Sequence, residues 1–198
     1  MPSLAGALRS LGRRGPRWLY AGGTRSDRWR DPDAVVAALG LTDGDRVADL
    51  GAGRGTFTGR LARAVAPTGA VYAVDADVPA LRRLTRLAAE AGLDNIRTIP
   101  VTGDRLDLPE PVDLIFASAV FHHLPNQVPY FAALRSQLRP AGRLAILESR
   151  REGLLRHWFP HGTPATAVRD TLSAAGFRPV AEHPVVRGHL FAIFERAA

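Results

Sequence analysis

Two strand-like runs, 178–186 and 190–195, stand near the carboxyl end with only Arg187-Gly188-His189 between them. A connection that short joins antiparallel strands, because a parallel crossover needs a dozen residues or more. Everything before this pair alternates. Asp31-Pro32-Asp33 reads as a helix start, Asp31 the N-cap and Pro32 the first helical residue, with Val35, Val36 and Leu39 inward and Gly40 as the stop. A turn at Thr42-Asp43-Gly44-Asp45 leads to a strand over 46–50, a loop over 51–55 and a helix over 56–66. The spacing then predicts strand 70–74, helix 79–91 ended by Gly92, strand 96–100, and a strand 112–117, apolar but for Asp113, that is expected to be buried on both faces. Helix 127–138, strand 143–148 and helix 164–175, stopped by Gly176, complete the series. Strand–helix alternation closed by a hairpin specifies an α/β fold: a doubly wound, mostly parallel sheet with an antiparallel end.

A chain of 198 residues, 46% hydrophobic and 23% charged, has material for one domain. No run reaches the roughly 18 apolar residues of a membrane-spanning helix. There is no cysteine, which excludes disulfides, thiolate metal sites and a thiol nucleophile. All 26 basic residues are arginine, and their placement is uneven. Residues 1–30 hold seven arginines against Asp27 alone, a net +6 of the chain's +7. The division expected is therefore a basic arm, 1–30, and a nearly neutral domain, 31–198. A nucleic-acid-binding domain spreads positive charge over one face, so no nucleic-acid partner is expected. In the arm, Leu4, Leu8 and Leu11 recur at helical spacing beside arginines. Three readings fit: a solvated arm weakened by Gly6, Gly12, Gly15 and Pro16, a transit peptide, or a segment lying on an anionic membrane surface. Its polarity argues against a secretory signal, and the expected location is cytoplasmic, with peripheral membrane contact through the arm as the variant.

The chemistry starts at the first strand–loop–helix junction, Asp49-Leu50-Gly51-Ala52-Gly53-Arg54-Gly55. Glycines there permit a sharp turn and let a ligand approach bare main chain. A dinucleotide-binding loop needs a glycine-sized residue at the sixth position, where this chain has Thr56, so a nicotinamide or flavin site is disfavoured. A phosphate loop of the lysine type is excluded because the chain has no lysine. Asp75 ends the second strand, twenty residues past Gly55. A carboxylate in that place can accept both hydrogen bonds of a ribose diol.

Val47 through Gly55 resembles the first motif of the class I S-adenosylmethionine-dependent methyltransferases. The resemblance continues through Val71-Tyr72-Ala73-Val74-Asp75, Gly103-Asp104-Arg105-Leu106-Asp107-Leu108-Pro109 and Val112-Asp113-Leu114-Ile115. It extends to Phe121-His122-His123-Leu124 and to Leu138-Arg139-Pro140-Ala141-Gly142, where Ala141 departs from the family's Pro-Gly-Gly. The resemblance implies a seven-stranded sheet with the last strand reversed, and S-adenosylmethionine as cofactor. Gly51, Ala52 and Gly53, with Gly55 beyond them, would pass close to the methionine part. Asp49 would order the loop or reach the amino group, and Asp75, with Ala76 beside it, would hold the ribose. Asp104 and the Arg105 backbone would meet the adenine edge, and Ser118 would line the methyl-donor end.

A sulfonium methyl is already electrophilic, so the protein must align the acceptor and exclude water. A base is needed only when the acceptor carries a proton that has to leave. His122 and His123 follow the fourth strand, where open α/β sheets place ligands, and either is a base or a wall and helix cap. Glu148, ending the fifth strand, either faces an acceptor amine or hydroxyl or pairs with Arg150 or Arg151. His161, Trp158 and Phe159 are candidates for a pocket wall, and Trp18, Tyr20 and Trp29 for a lid. Asp113 is expected to cap backbone rather than do chemistry. The histidines show no metal-ligand spacing, and no metal is expected. The acceptor expected is a small or amphiphilic molecule methylated at O, N or C. The alternatives are a catalytically silent cofactor-binding partner of the same fold and, more distantly, aminopropyl transfer.

Overall fold

The computed structural model of the chain describes residues 31–101, 106–124, 126–149 and 162–197. Along these, β-strands and helices follow as α1 (Pro32–Ala38), β1 (Arg46–Leu50), α2 (Thr58–Ala64), β2 (Ala70–Asp75), α3 (Val78–Glu90) and β3 (Ile96–Pro100). The second half gives β4 (Val112–Ser118), α4 (Gln127–Leu134), β5 (Leu138–Ser149), α5 (Ala165–Ala174), β6 (Phe177–Glu182) and β7 (His189–Arg196). One seven-stranded sheet results, in the order β3-β2-β1-β4-β5-β7-β6. Pairings from β3 across to β5 are parallel, and β7 runs antiparallel to both of its neighbours.

The period-2 alternation within the strands sorts the core into two layers. Val47, Val71, Leu114, Phe116, Ala145 and Leu147 face α1 and α2, while Ala73 meets Leu84 of α3. Ala48, Leu50, Val74, Ile115, Ala117, Leu144 and Ile146 face α4 and α5 on the other side. Asp31 caps α1 as read, its Oδ1 accepting from the Ala34 N–H at 3.2 Å.

Several boundaries differ from the periodicity. The expected helix 127–138 is α-helical only to Leu134; a 3₁₀ turn takes Arg135–Gln137, and Leu138 opens β5 opposite Val112. Arg139 precedes Pro140 and is thereby pushed out of helical geometry, so the chain extends early. β5 then runs twelve residues instead of six, through a register shift opposite Val112–Leu114. Within that corner a Cβ on Gly142 would stand 2.9 Å from the Val112 carbonyl oxygen and 3.0 Å from the Arg139 backbone, whereas Ala141 is exposed. Glycine is therefore required at the second position, and alanine is admitted at the first. The closing connection is longer than three residues, because Pro184 interrupts the first run and β6 ends at Glu182.

The amino edge of the sheet is tied by ions. Asp113 Oδ2 accepts from the Arg46 backbone N–H at 2.8 Å and from Arg139 Nη1 at 2.9 Å, joining the starts of β1, β4 and β5. Glu110 accepts from Arg46 Nε at 3.0 Å and from the Tyr72 hydroxyl, and this hydrogen bond and the nearby arginines hold its carboxyl below the usual range. The backbone-capping role read for Asp113 is thus observed. Asp113→Ala should lower unfolding free energy by about 1.5–3 kcal/mol, with an unchanged urea m-value, since it removes a charged acceptor from a strand N–H. Urea unfolding followed by circular dichroism measures this.

Candidate functional site

The loop after β1 is gripped by the end of β2. The Gly51 and Ala52 N–H groups both donate to the Val74 carbonyl oxygen, at 2.8 and 3.0 Å. Gly53 N–H donates to Asp75 Oδ2 at 2.7 Å, and Asp77 N–H to Asp75 Oδ1 at 2.8 Å. A carboxylate offers about four acceptor positions, so Asp75 keeps roughly two for a ligand while aimed at the loop. Ala76 beside it is exposed.

The three loop glycines divide the work differently from the expectation that all three leave bare main chain. Each has a positive φ. A Cβ on Gly51 would stand 2.2 Å from Val120 Cγ2, and one on Gly55 would stand 2.5 Å from Leu84 Cδ1. Val120, just past β4, fills the first space, and α3 packs into the second. Only at Gly53 is the Cβ direction open, with the Gly51 carbonyl and Asp75 Oδ2 near 4 Å. Gly53 is therefore the place where a ligand can meet the backbone of this loop.

Asp49 lies beneath the loop, 2% exposed, and its Oδ2 accepts from the Thr58 hydroxyl at 2.6 Å. Burial raises its pKa to about 7, the Thr58 bond partly offsetting this and the nearby negative charge of Asp75 adding to it. Thr58 itself went unread in the sequence. The available signal was a hydroxyl in the first turn of the helix, nine residues after a strand-end aspartate.

At the ends of β4 and β5, His122 and Glu148, two separate candidates in the sequence, prove to be partners. His122 Nδ1 lies 2.9 Å from Glu148 Oε1, which also accepts from the Ser149 N–H at 3.1 Å. Glu148 is 1% exposed, and its Oε2 has no hydrogen-bond donor among the described residues. An unmade bond of this kind at a buried acceptor costs about 1–3 kcal/mol, and more when the group is charged. The His123 ring is exposed, 3.9 Å from that of His122; the start of α4 is not side-chain capped, so the capping role does not apply to it. Ser118 Oγ is likewise buried without a partner among the described residues. Ala119 follows with φ 55° and turns the chain so that Val120 reaches Gly51.

Asp104, Arg105, His161, Trp158, Phe159, Trp18, Tyr20, Trp29, Arg150 and Arg151 lie outside the described residues. Among the described residues no three His, Asp or Glu side chains cluster as metal ligands would. None of the described helices is long and apolar enough to cross a membrane.

A family profile described as a methyltransferase domain matches residues 41–175. The chain belongs to the class I S-adenosylmethionine-dependent methyltransferase family. Trans-aconitate 2-methyltransferase of Rhizobium rhizogenes is 36% identical to it over 121 residues, which are 61% of this chain and 44% of that one. Ubiquinone/menaquinone biosynthesis C-methyltransferase of Stutzerimonas stutzeri is 26% identical over 116 residues, 58% of this chain and 45% of that one. The chain spans less than half the length of each of these curated relatives. Among solved structures, a SAM-dependent methyltransferase from Aquifex aeolicus superposes with a TM-score of 0.71 at 24% identity, covering 94% of this chain and 97% of that one. S-adenosylmethionine is the cofactor of the family. The open face of Gly53 and the spare acceptor positions of Asp75 fit its nucleoside.

Two outcomes test this geometry. Gly55→Ala should cost about 1–3 kcal/mol through overpacking and positive φ, and Leu84→Ala in the same chain should relieve part of that cost, giving a favourable coupling in a double-mutant cycle. Asp49 holds its proton more tightly folded than unfolded. Its stabilising contribution is therefore complete below about pH 4 and lost as pH rises through about 7. Asp49→Asn removes that loss, so between pH 4.5 and 7.5 the variant's stability relative to the unsubstituted protein should rise by about 1 kcal/mol or more in urea unfolding.

Proposed function

We propose that this protein transfers a methyl group from S-adenosylmethionine to a small or amphiphilic molecule. The observation that carries the reading is the Gly53–Asp75 junction, where open backbone adjoins a carboxylate with acceptor capacity to spare. In this reading Asp75 holds the ribose hydroxyls, with Ala76 alongside. Gly51, Ala52 and Gly53 border the methionine part, Asp49 beneath them fixes the loop through Thr58, and Gly55 serves the loop by letting α3 approach. Asp104 and Arg105 are assigned to the adenine edge and Ser118 to the methyl-donor end. His122, His123 and Glu148 are assigned to the acceptor side. When bound, the cofactor supplies an electrophilic methyl on sulfur; the chain's task is to align the acceptor in line with it and keep water out.

Residues 31–198 form the catalytic domain in this reading, and residues 1–30 a basic arm. The location in this reading is cytoplasmic, and the arm's arginines, beside leucines at helical spacing, support contact with anionic membranes, which would bring the protein to an amphiphilic acceptor. Removing residues 1–23 should abolish co-sedimentation with vesicles containing anionic phospholipid; unchanged sedimentation would remove the membrane part of the reading.

Calorimetry with S-adenosylhomocysteine tests the core of the proposal. A Kd of about 1–100 μM is expected, and Asp75→Ala should weaken it at least about tenfold. No saturable heat would overturn it. Radiolabelled methyl transfer over a metabolite panel then separates an enzyme from a silent binding module, which would bind without turnover.

A further inference from the structure

Glu148 presents an imbalance that the fold does not require. One carboxylate oxygen accepts two bonds, from His122 Nδ1 at 2.9 Å and from the Ser149 N–H at 3.1 Å, while Oε2 is buried with no donor among the described residues. The neighbouring positions on the same face of β5, Leu144 and Ile146, are apolar and fully packed. A carboxylate at the third such position gives nothing to the core that a leucine would not give better. It stands at the carboxyl end of its strand, beside β4, on the edge where open α/β sheets receive ligands.

We propose that Glu148 Oε2 receives the hydrogen bond of the methyl acceptor, and that the acceptor is therefore a neutral molecule bearing a hydroxyl or an amine at the reacting atom. The inference rests on the methyltransferase reading and specifies the substrate class of the same site. A donor group completes the coordination of Oε2. An acceptor carboxylate would instead set its own lone pairs against those of Oε2, and a methyl ether or thioether would leave Oε2 as it is. The same contact provides the proton's destination. With the cofactor bound, its sulfonium would supply the methyl and keep the electron pair of the bond given up, and the proton that the acceptor heteroatom loses would pass to Glu148 Oε2. Glu148 is thus assigned as a catalytic residue, held in place by the two donors on Oε1.

Four probes that share an aromatic ring and differ only in the polar group test this: phenol, aniline, anisole and benzoate. They are titrated into the full chain in the presence of S-adenosylhomocysteine, with the ¹⁵N shifts of the His122 ring as the reporter. Phenol and aniline should bind at least about tenfold more tightly than anisole and benzoate, and Glu148→Gln, which keeps an acceptor for His122 but replaces the Oε2 side by a donor, should abolish the preference. Four affinities within about threefold of one another, no saturable shift with phenol and aniline, or a preference surviving in the variant would each overturn the assignment. The comparison among probes in the unsubstituted protein stands even if the variant does not fold. Saturable S-adenosylhomocysteine binding without donor preference removes this inference and leaves the methyltransferase reading; absence of that binding removes both.

Discussion

The Val74 carbonyl oxygen, accepting from two successive N–H groups of the neighbouring loop, is the contact on which the site depends. Parallel strands β1 and β2 end side by side, and beyond their last paired residues the loop would otherwise carry unpaired donors. Val74 takes two of them and Asp75 a third, which fixes the path of residues 51–53 before any ligand arrives. Glycine's positive φ then serves that path in separate ways. Gly51 makes room for Val120, Gly55 for Leu84, and Gly53 for what comes from outside. A single glycine-rich stretch thus joins loop to strand, helix to loop and, in the proposed function, protein to cofactor.

Much of this was legible in the sequence because the relevant signals are local. Val112 to Ala117 is apolar except for Asp113 near its start and reads as a strand buried on both faces; Asp31-Pro32 could hardly be other than a helix start. The sheet with its reversed strand followed from alternation and one short connection. What local patterns miss is competition between distant segments. The end of α4 is decided by Pro140 and by pairing of Leu138 with Val112, 26 positions away in the chain. The partnership of His122 with Glu148 joins residues from two strand ends, 26 positions apart in the chain, and neither residue read alone points to the other. Likewise the side chains that occupy the spaces over Gly51 and Gly55 come from beyond β4 and from α3. A glycine shows that room is needed there; only the fold shows what uses it.

The two edges of the sheet treat acidic groups in opposite ways. At the amino edge Asp113 and Glu110 are surrounded by arginines and backbone donors, and all are partly open to water, where such pairs are cheap to form. At the carboxyl edge Asp49 is buried with a hydroxyl for company, and Glu148 is buried with half of its carboxylate unsatisfied among the described residues. The first edge is stabilised by its charges and the second is strained by them. That division fits a domain in which one rim maintains the sheet and the other retains unspent binding capacity.

β7 lies between β5 and β6, although it is the last of the seven strands among the described residues, and β6 has no other strand neighbour among them. During synthesis β6 therefore leaves the ribosome able to pack Phe177 against α5 but with no strand to pair with, its backbone donors and acceptors waiting for one not yet made. The apolar row of Leu190, Ala192 and Phe194, which covers one side of β7, arrives later still. A growing chain of this kind would hold the β1–β4 half of its sheet assembled while the opposite margin stays unzipped, so nascent molecules should depend on chaperones for longest around β6 and β7.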